Sequence, residues 1–138
     1  MQHDTFIGQV QDRAKLPSRG AAEAVTRATL ETLGERIPEQ LADHVAAQLP
    51  REIGEHLRRT EVFSGAGSGE RFDLKEFLDR VGARGGLDEP QAVYSSRVVM
   101  EVLREATQGG QMDKVRDALP ERLRELLDSG STGEMHTT

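Results

Sequence analysis

The sequence predicts an all-α protein of about eight helices, arranged as two similar four-helix repeats packed as a pseudo-symmetric bundle. Three observations predict this. Apolar residues recur at three- and four-residue steps through most of the chain, the spacing that lines one face of a helix. Capping residues and helix-starting prolines stand ahead of those runs. The whole series of apolar residues, caps and prolines is then written a second time, about seventy positions later.

The elements follow in order. Phe6-Ile7-Gly8-Gln9-Val10 is the first apolar stretch. Ser18 is a good N-cap, and Ala22, Val25, Thr29, Leu33 and Ile37 then form one stripe. Gly34 and Pro38 bracket the end of that helix, because the residue before a proline is pushed out of helical geometry. A short helix carries Leu41, Val45 and Leu49. Pro50 suits the first turn of the next helix, whose inward residues are Ile53 and Leu57.

Residues 61–72 read as a Gly/Ser linker, with Ser64-Gly65-Ala66-Gly67-Ser68-Gly69 at its centre. Asp73 and Glu76 have capping-box spacing ahead of Leu74, Phe77, Leu78 and Val81, a stripe that Gly85-Gly86 ends. Asp88 caps the next helix, with Pro90 in its first turn. Its buried side is Ala92, Val98, Val99, Val102, Leu103 and Ala106, and Gly109-Gly110 is expected to stop it. Val115 and Leu119 precede Pro120, and Leu123, Leu126 and Leu127 complete the core. Residues 129–138 read as a disordered tail.

The two halves align residue by residue. Phe6 to Val10 matches Phe77 to Val81, and Leu16 matches Leu87. Pro17 has no counterpart. Ser18 then pairs with Asp88, Ala22 with Ala92, Leu33 with Leu103 and Val45 with Val115. Leu49-Pro50 pairs with Leu119-Pro120, Ile53 with Leu123 and Leu57 with Leu127. Residues 1–60 and 73–128 are therefore the two repeats. What they share is packing, so a function particular to one half must lie among residues they do not share. His44 and His56 are two of these, with Lys114 and Leu126 at the matching positions.

The Phe-x-x-x-Val opening, the capped helix after Leu, and the strings Gln48-Leu-Pro-Arg-Glu-Ile53 and Ala118-Leu-Pro-Glu-Arg-Leu123 resemble the bacterial DUF2267 family. The resemblance covers residues 4–128. It implies a helical, two-fold repeated protein without an established activity. Family members often carry aromatic residues after the first Leu-Pro helix. Here that stretch is His56-Leu57-Arg58-Arg59-Thr60-Glu61-Val62-Phe63, without Trp or Tyr.

Composition narrows the function classes. With no Cys among 138 residues, disulfides, thiolate zinc sites and cysteine nucleophiles are excluded. That fits a cytoplasmic protein. No apolar run is long enough for a membrane span, and Met1-Gln2-His3-Asp4 does not open a signal peptide. The net charge of -6 gives phosphate backbones no general attraction. The 15 Arg against 3 Lys fit the codon bias of a GC-rich genome, or an interaction surface that uses bidentate contacts.

No residue is assigned as catalytic, cofactor-binding or metal-binding. The Glu-x-x-His pairs of a di-iron bundle are absent. His44, Glu52 and His56 could in principle hold zinc, but they read as surface or boundary residues. No Ser sits in a nucleophile elbow, and Ser95 and Ser96 fit mid-helix residues bonding back to carbonyls. The Gly65-x-Gly67-x-Gly69 string lacks the rest of a phosphate loop.

The expectation is a non-enzymatic module that binds a protein partner, along the groove between repeats and near residues 56–63. The alternative is a nucleic-acid-associated protein using Arg58, Arg59, Arg71, Lys75, Arg80 and Arg84 around the linker. Residues 51–84, however, hold seven basic and seven acidic side chains. Thr60, after Arg58-Arg59, has the setting of a phosphorylation site.

Overall fold

Two long helices of equal length dominate the molecule, α2 (Arg19–Arg36) and α6 (Glu89–Ala106). The computed structural model describes residues 1–63 and 71–131, and the side chains of all these except residues 60–63. The centre of the Gly/Ser stretch (64–70), the tail beyond Ser131 and the Thr60 side chain lie outside the described residues. Within them the chain is all-α, with eight helices and no strand. The remaining six are α1 (His3–Arg13), α3 (Glu39–Ala46), α4 (Arg51–Phe63), α5 (Leu74–Gly85), α7 (Gln111–Asp117) and α8 (Glu121–Ser129).

Local chemistry sets most of these boundaries. The Ser18 hydroxyl accepts from the Ala21 N–H, and the Asp73 carboxylate from the Glu76 N–H. Asp88 and Gln91 form a reciprocal capping box, with Pro90 in the first turn of α6. After α1 and α5 the chain closes alike. The Leu16 N–H donates to the Gln11 carbonyl at 3.0 Å, and the Leu87 N–H to the Gly82 carbonyl at 2.9 Å. Such a bond needs a left-handed residue just before it. Gly86 takes that conformation at φ 66°, and Lys15 at φ 55°.

Several boundaries differ from the sequence reading. Pro120 is the N-cap of α8 and not its first helical residue, and Pro50 likewise stands one residue ahead of α4. Each carbonyl accepts the first helical bond, from Arg124 and Gly54. α6 ends at Ala106, so Gly109-Gly110 does not stop it. Gly110, at φ 78°, is instead the N-cap of α7. α4 continues to Phe63, inside the stretch read as linker. At the other end Ser129 is still helical and Gly130 is buried.

The core is one apolar cluster, mostly aliphatic. The expected stripes lie in it: Ala22, Val25, Leu33 and Ile37 from α2 and its end, and Ala92, Val98, Val99, Val102 and Leu103 from α6. Phe6 and Val10 of α1 join it, with Phe77 and Val81 of α5 and Leu123, Leu126 and Leu127 of α8. α2 lies against α1, α4, α5 and α6, and is buried on most sides. That is why Thr26, Thr29 and Thr32 are fully enclosed, as is Ser96 on α6. Thr32 donates to the Ala28 carbonyl at 2.8 Å, but the Thr26, Thr29 and Ser96 hydroxyls have no partner among the described residues.

Charged side chains tie the outer helices to α2 and α6. Glu35 of α2 receives Arg80 at 3.1 Å and Arg84 at 2.6 Å, both from α5. Burial pushes its carboxyl up, but bonding and charge from Arg84 and then Arg80 outweigh this and hold it below its ordinary range. Arg13 of α1 reaches Glu101 at 2.9 Å and Glu105 at 2.8 Å on α6.

Candidate functional site

Where α1, α2 and α4 meet, they leave an open groove of about 450 Å³. His3 and Ile7 come from α1. Gly20, Glu23, Ala24 and Arg27 lie along α2, and Glu52, Glu55, His56 and Arg59 along α4. The helical period explains this lining. Gly20, Ala24 and Arg27, like Glu52, His56 and Arg59, follow one another at four and three residues, and so stack on one face.

The small residues Gly20 and Ala24 keep the floor low. His56 is half-buried, and its Nδ1 is enclosed without a hydrogen-bond partner among the described residues. Most of the rim is already paired. Glu23 meets Arg19 at 3.3 Å, Glu55 meets Arg51 at 3.2 Å, and His3 Nε2 lies 3.8 Å from Glu52. Arg59 donates to Glu31 at 2.8 Å. Arg27 is exposed and has no hydrogen bond or ion pair among the described residues.

Burial, then the charges of Arg59 and Arg27, lower the His56 pKa from 6.5 to about 4. The imidazole is therefore neutral at physiological pH. An unfolded chain takes up this proton first as pH falls. The stabilisation from keeping His56 neutral is thus complete above about pH 6.5 and disappears as pH falls toward 4. We expect the urea midpoint to decline between pH 6.5 and 5, where carboxylates remain ionised, and His56→Leu to flatten that decline. An unchanged slope in the variant would contradict the burial of the ring.

Seventy positions further along, the lining changes character. Ala24 corresponds to Tyr94, whose hydroxyl donates to the Arg13 carbonyl at 2.9 Å. His56 corresponds to Leu126, which is fully buried, and Glu23 to the partly buried Val93. Arg27 corresponds to Arg97, which is only 8% exposed and donates to the Gly130 carbonyl at 2.9 Å. At these positions the first half has a polar opening where the second half has bulky apolar groups and its own chain. A smaller cleft of about 320 Å³ remains at Leu74, Leu78 and Arg122, the counterparts of His3, Ile7 and Glu52.

The residues singled out from sequence divide. Glu52, His56 and Arg59 come together in the groove, whereas His44 is exposed on α3 and is not part of it. Among the described residues, no three His, Asp or Glu side chains are grouped to hold a metal. The basic cluster is largely neutralised. Arg58 pairs with Asp43 at 3.0 Å, Lys75 with Asp79 at 3.1 Å, Arg59 with Glu31, and Arg80 and Arg84 with Glu35. Arg71 is exposed beside Arg36 and Phe72. Sequence reasoning passed over Arg27. Its signal was the pairing of Arg27 and Glu31 with Arg97 and Glu101 across the two halves.

The fold and the groove together define an all-α bundle with a polar opening between its first, second and fourth helices. The chain belongs to the family described as "Uncharacterized conserved protein (DUF2267)", whose profile matches residues 3–126. A search of curated proteins finds no match. No helix among the described residues is long and apolar enough to cross a membrane.

Proposed function

We infer that this protein acts by binding a protein partner in the α1/α2/α4 groove and does not catalyse a reaction. One observation carries the reading. The groove reaches in to Ala24, Arg27 and His56 in the first half, whereas at the matching positions the second half is filled by Tyr94, Leu126 and the chain around Gly130, leaving a smaller cleft of about 320 Å³ at Leu74, Leu78 and Arg122. In this reading the chain is one four-helix unit written twice, and the first copy has kept its cleft open. Gly20, Ala24 and a solvent-facing Arg27 forgo packing that the second copy obtains with larger groups. Recognition supplies a reason for that loss. The described lining includes no hydroxyl or thiol to act as a nucleophile, which supports binding over covalent catalysis.

Filling the groove tests this. The variant Ala24→Tyr with His56→Leu installs the second half's residues in the first. It should stay folded by circular dichroism and lose partners that the wild-type protein retains from its native cell extract. If both proteins retained the same partners, the groove would not be the binding surface.

A further inference from the structure

We propose that the groove receives an extended peptide segment of the partner, with Arg27 donating to one of its backbone carbonyls. The proposal rests on the binding reading above and adds the partner's chemistry. Its basis is a contact the molecule makes with itself. Arg97 and Glu101 stand one turn apart on α6. Arg97 Nε donates to the Gly130 carbonyl at 2.9 Å, and Glu101 Oε1 accepts from the Ser131 N–H at 3.2 Å. That carbonyl and that N–H belong to one peptide group, so the pair grips it by both polar atoms. A guanidinium supplies only donors and a carboxylate only acceptors, which makes the grip directional.

The same pair stands on α2 as Arg27 and Glu31, seventy positions earlier. What differs is the chain that would fill it. α8 stops at Ser129, and Gly130 leaves the helix at φ 69°, ψ −176°, so its peptide group is free to be held. α4 runs on to Phe63. At the positions matching Gly130 and Ser131, Thr60 and Glu61, the backbone is helical, and a helix spends its interior peptide groups on its own ladder. Among the described residues Arg27 is left facing solvent at the groove, a donor fork with nothing to hold.

Glu31 is in part engaged. Arg59 takes one oxygen at 2.8 Å, and Arg84 Nε lies 3.7 Å from the other. An incoming N–H would share this carboxylate with Arg59, so Arg27 provides the main attachment. The rim sets the side-chain preference. Glu23 and Glu55 are held by Arg19 and Arg51, so Glu52, which among the described residues meets only His3 at 3.8 Å, is the rim carboxylate left to favour a segment bearing Lys or Arg.

The test is selection of random dodecapeptides displayed on phage against the immobilised full chain, with fluorescence polarisation of the enriched sequences. We expect enriched peptides to carry Lys or Arg. They should bind Arg27→Ala about tenfold or more weakly, the usual scale for a charged hydrogen-bond donor, and bind Lys75→Ala as they bind wild type. Replacing one peptide bond by an ester, a poorer acceptor, should weaken binding at a single position. The Ala24→Tyr, His56→Leu variant should not bind. Failure to enrich any peptide, or enriched peptides that bind Arg27→Ala unchanged, would overturn the proposal. Partners lost to the filled groove in the extract experiment but indifferent to Arg27→Ala would leave the binding reading standing and remove the peptide grip alone.

Discussion

Leu33→Ala and Leu103→Ala should each lower the unfolding free energy by roughly 2–5 kcal/mol. Both side chains are 0% exposed, and they occupy corresponding places on the two central helices. Truncation to Ala removes apolar contact and leaves a void that the surroundings refill only in part. α2 is held by α1, α4, α5 and α6 together, so it cannot shift toward one neighbour without parting from another. The cost should therefore fall toward the upper part of that range at Leu33. Urea unfolding followed by circular dichroism measures it, with an unchanged m-value indicating that only stability has moved. Losses below about 1 kcal/mol at both positions would mean that α2 and α6 do not form the centre. Leu41 is only partly buried, and its truncation provides the smaller comparison.

Much of this fold could be read from the sequence because its determinants are local. A cap acts on an N–H three residues away, so Ser18, Asp73 and Asp88 announce their helices without reference to the rest of the chain. The apolar stripes are equally local, and they met in one core. What could not be read was which helices would be central. Thr26, Thr32, Ser95 and Ser96 look like the polar side of amphipathic helices, yet all are buried. The second layer of helices covers those faces, and periodicity within one helix carries no information about the next.

The basic cluster shows the same limit. Arg59, Arg80 and Arg84 look like a positive band along the chain, but their partners Glu31 and Glu35 belong to a helix far earlier in sequence. Only the folded arrangement reveals that they hold α4 and α5 to α2. The groove was half legible. His56 stood out because the residue seventy positions later is Leu126, a difference visible when the two halves of the sequence are set side by side. Arg27 did not, since its counterpart is also Arg. The distinction lies in the length of the following helices, α4 against α8, which decides whether the guanidinium meets its own chain.

Gly34→Ala should destabilise the protein by about 2 kcal/mol net, although alanine is the better helix former by about 1 kcal/mol. Glycine here looked like a helix-end signal, but it lies inside α2, two residues before the end. Its role is contact. A Cβ at Gly34 would run into the backbone carbonyl oxygen of Leu57 on α4, and a carbonyl cannot swing aside as a side chain can. Relief requires α4 to move off α2, loosening Leu57 and Ile53 in the core and shifting the wall of the groove that carries His56 and Arg59. Gly8 is the control, because it is mid-helix in α1 and its Cβ would meet nothing within 4 Å. Gly8→Ala should stabilise by about 0.5–1 kcal/mol. Opposite signs at the two glycines, measured by thermal or urea unfolding, would establish that α2 and α4 touch backbone to backbone. Stabilisation at both would show that they do not. The positions corresponding to Gly34 and Gly54 in the second half are Arg104 and Arg124, so this approach is peculiar to the half with the open groove. The glycine that lets α4 lie close to α2 therefore also sets the width of the cleft between them, and Gly34→Ala should weaken groove-dependent binding as well as stability.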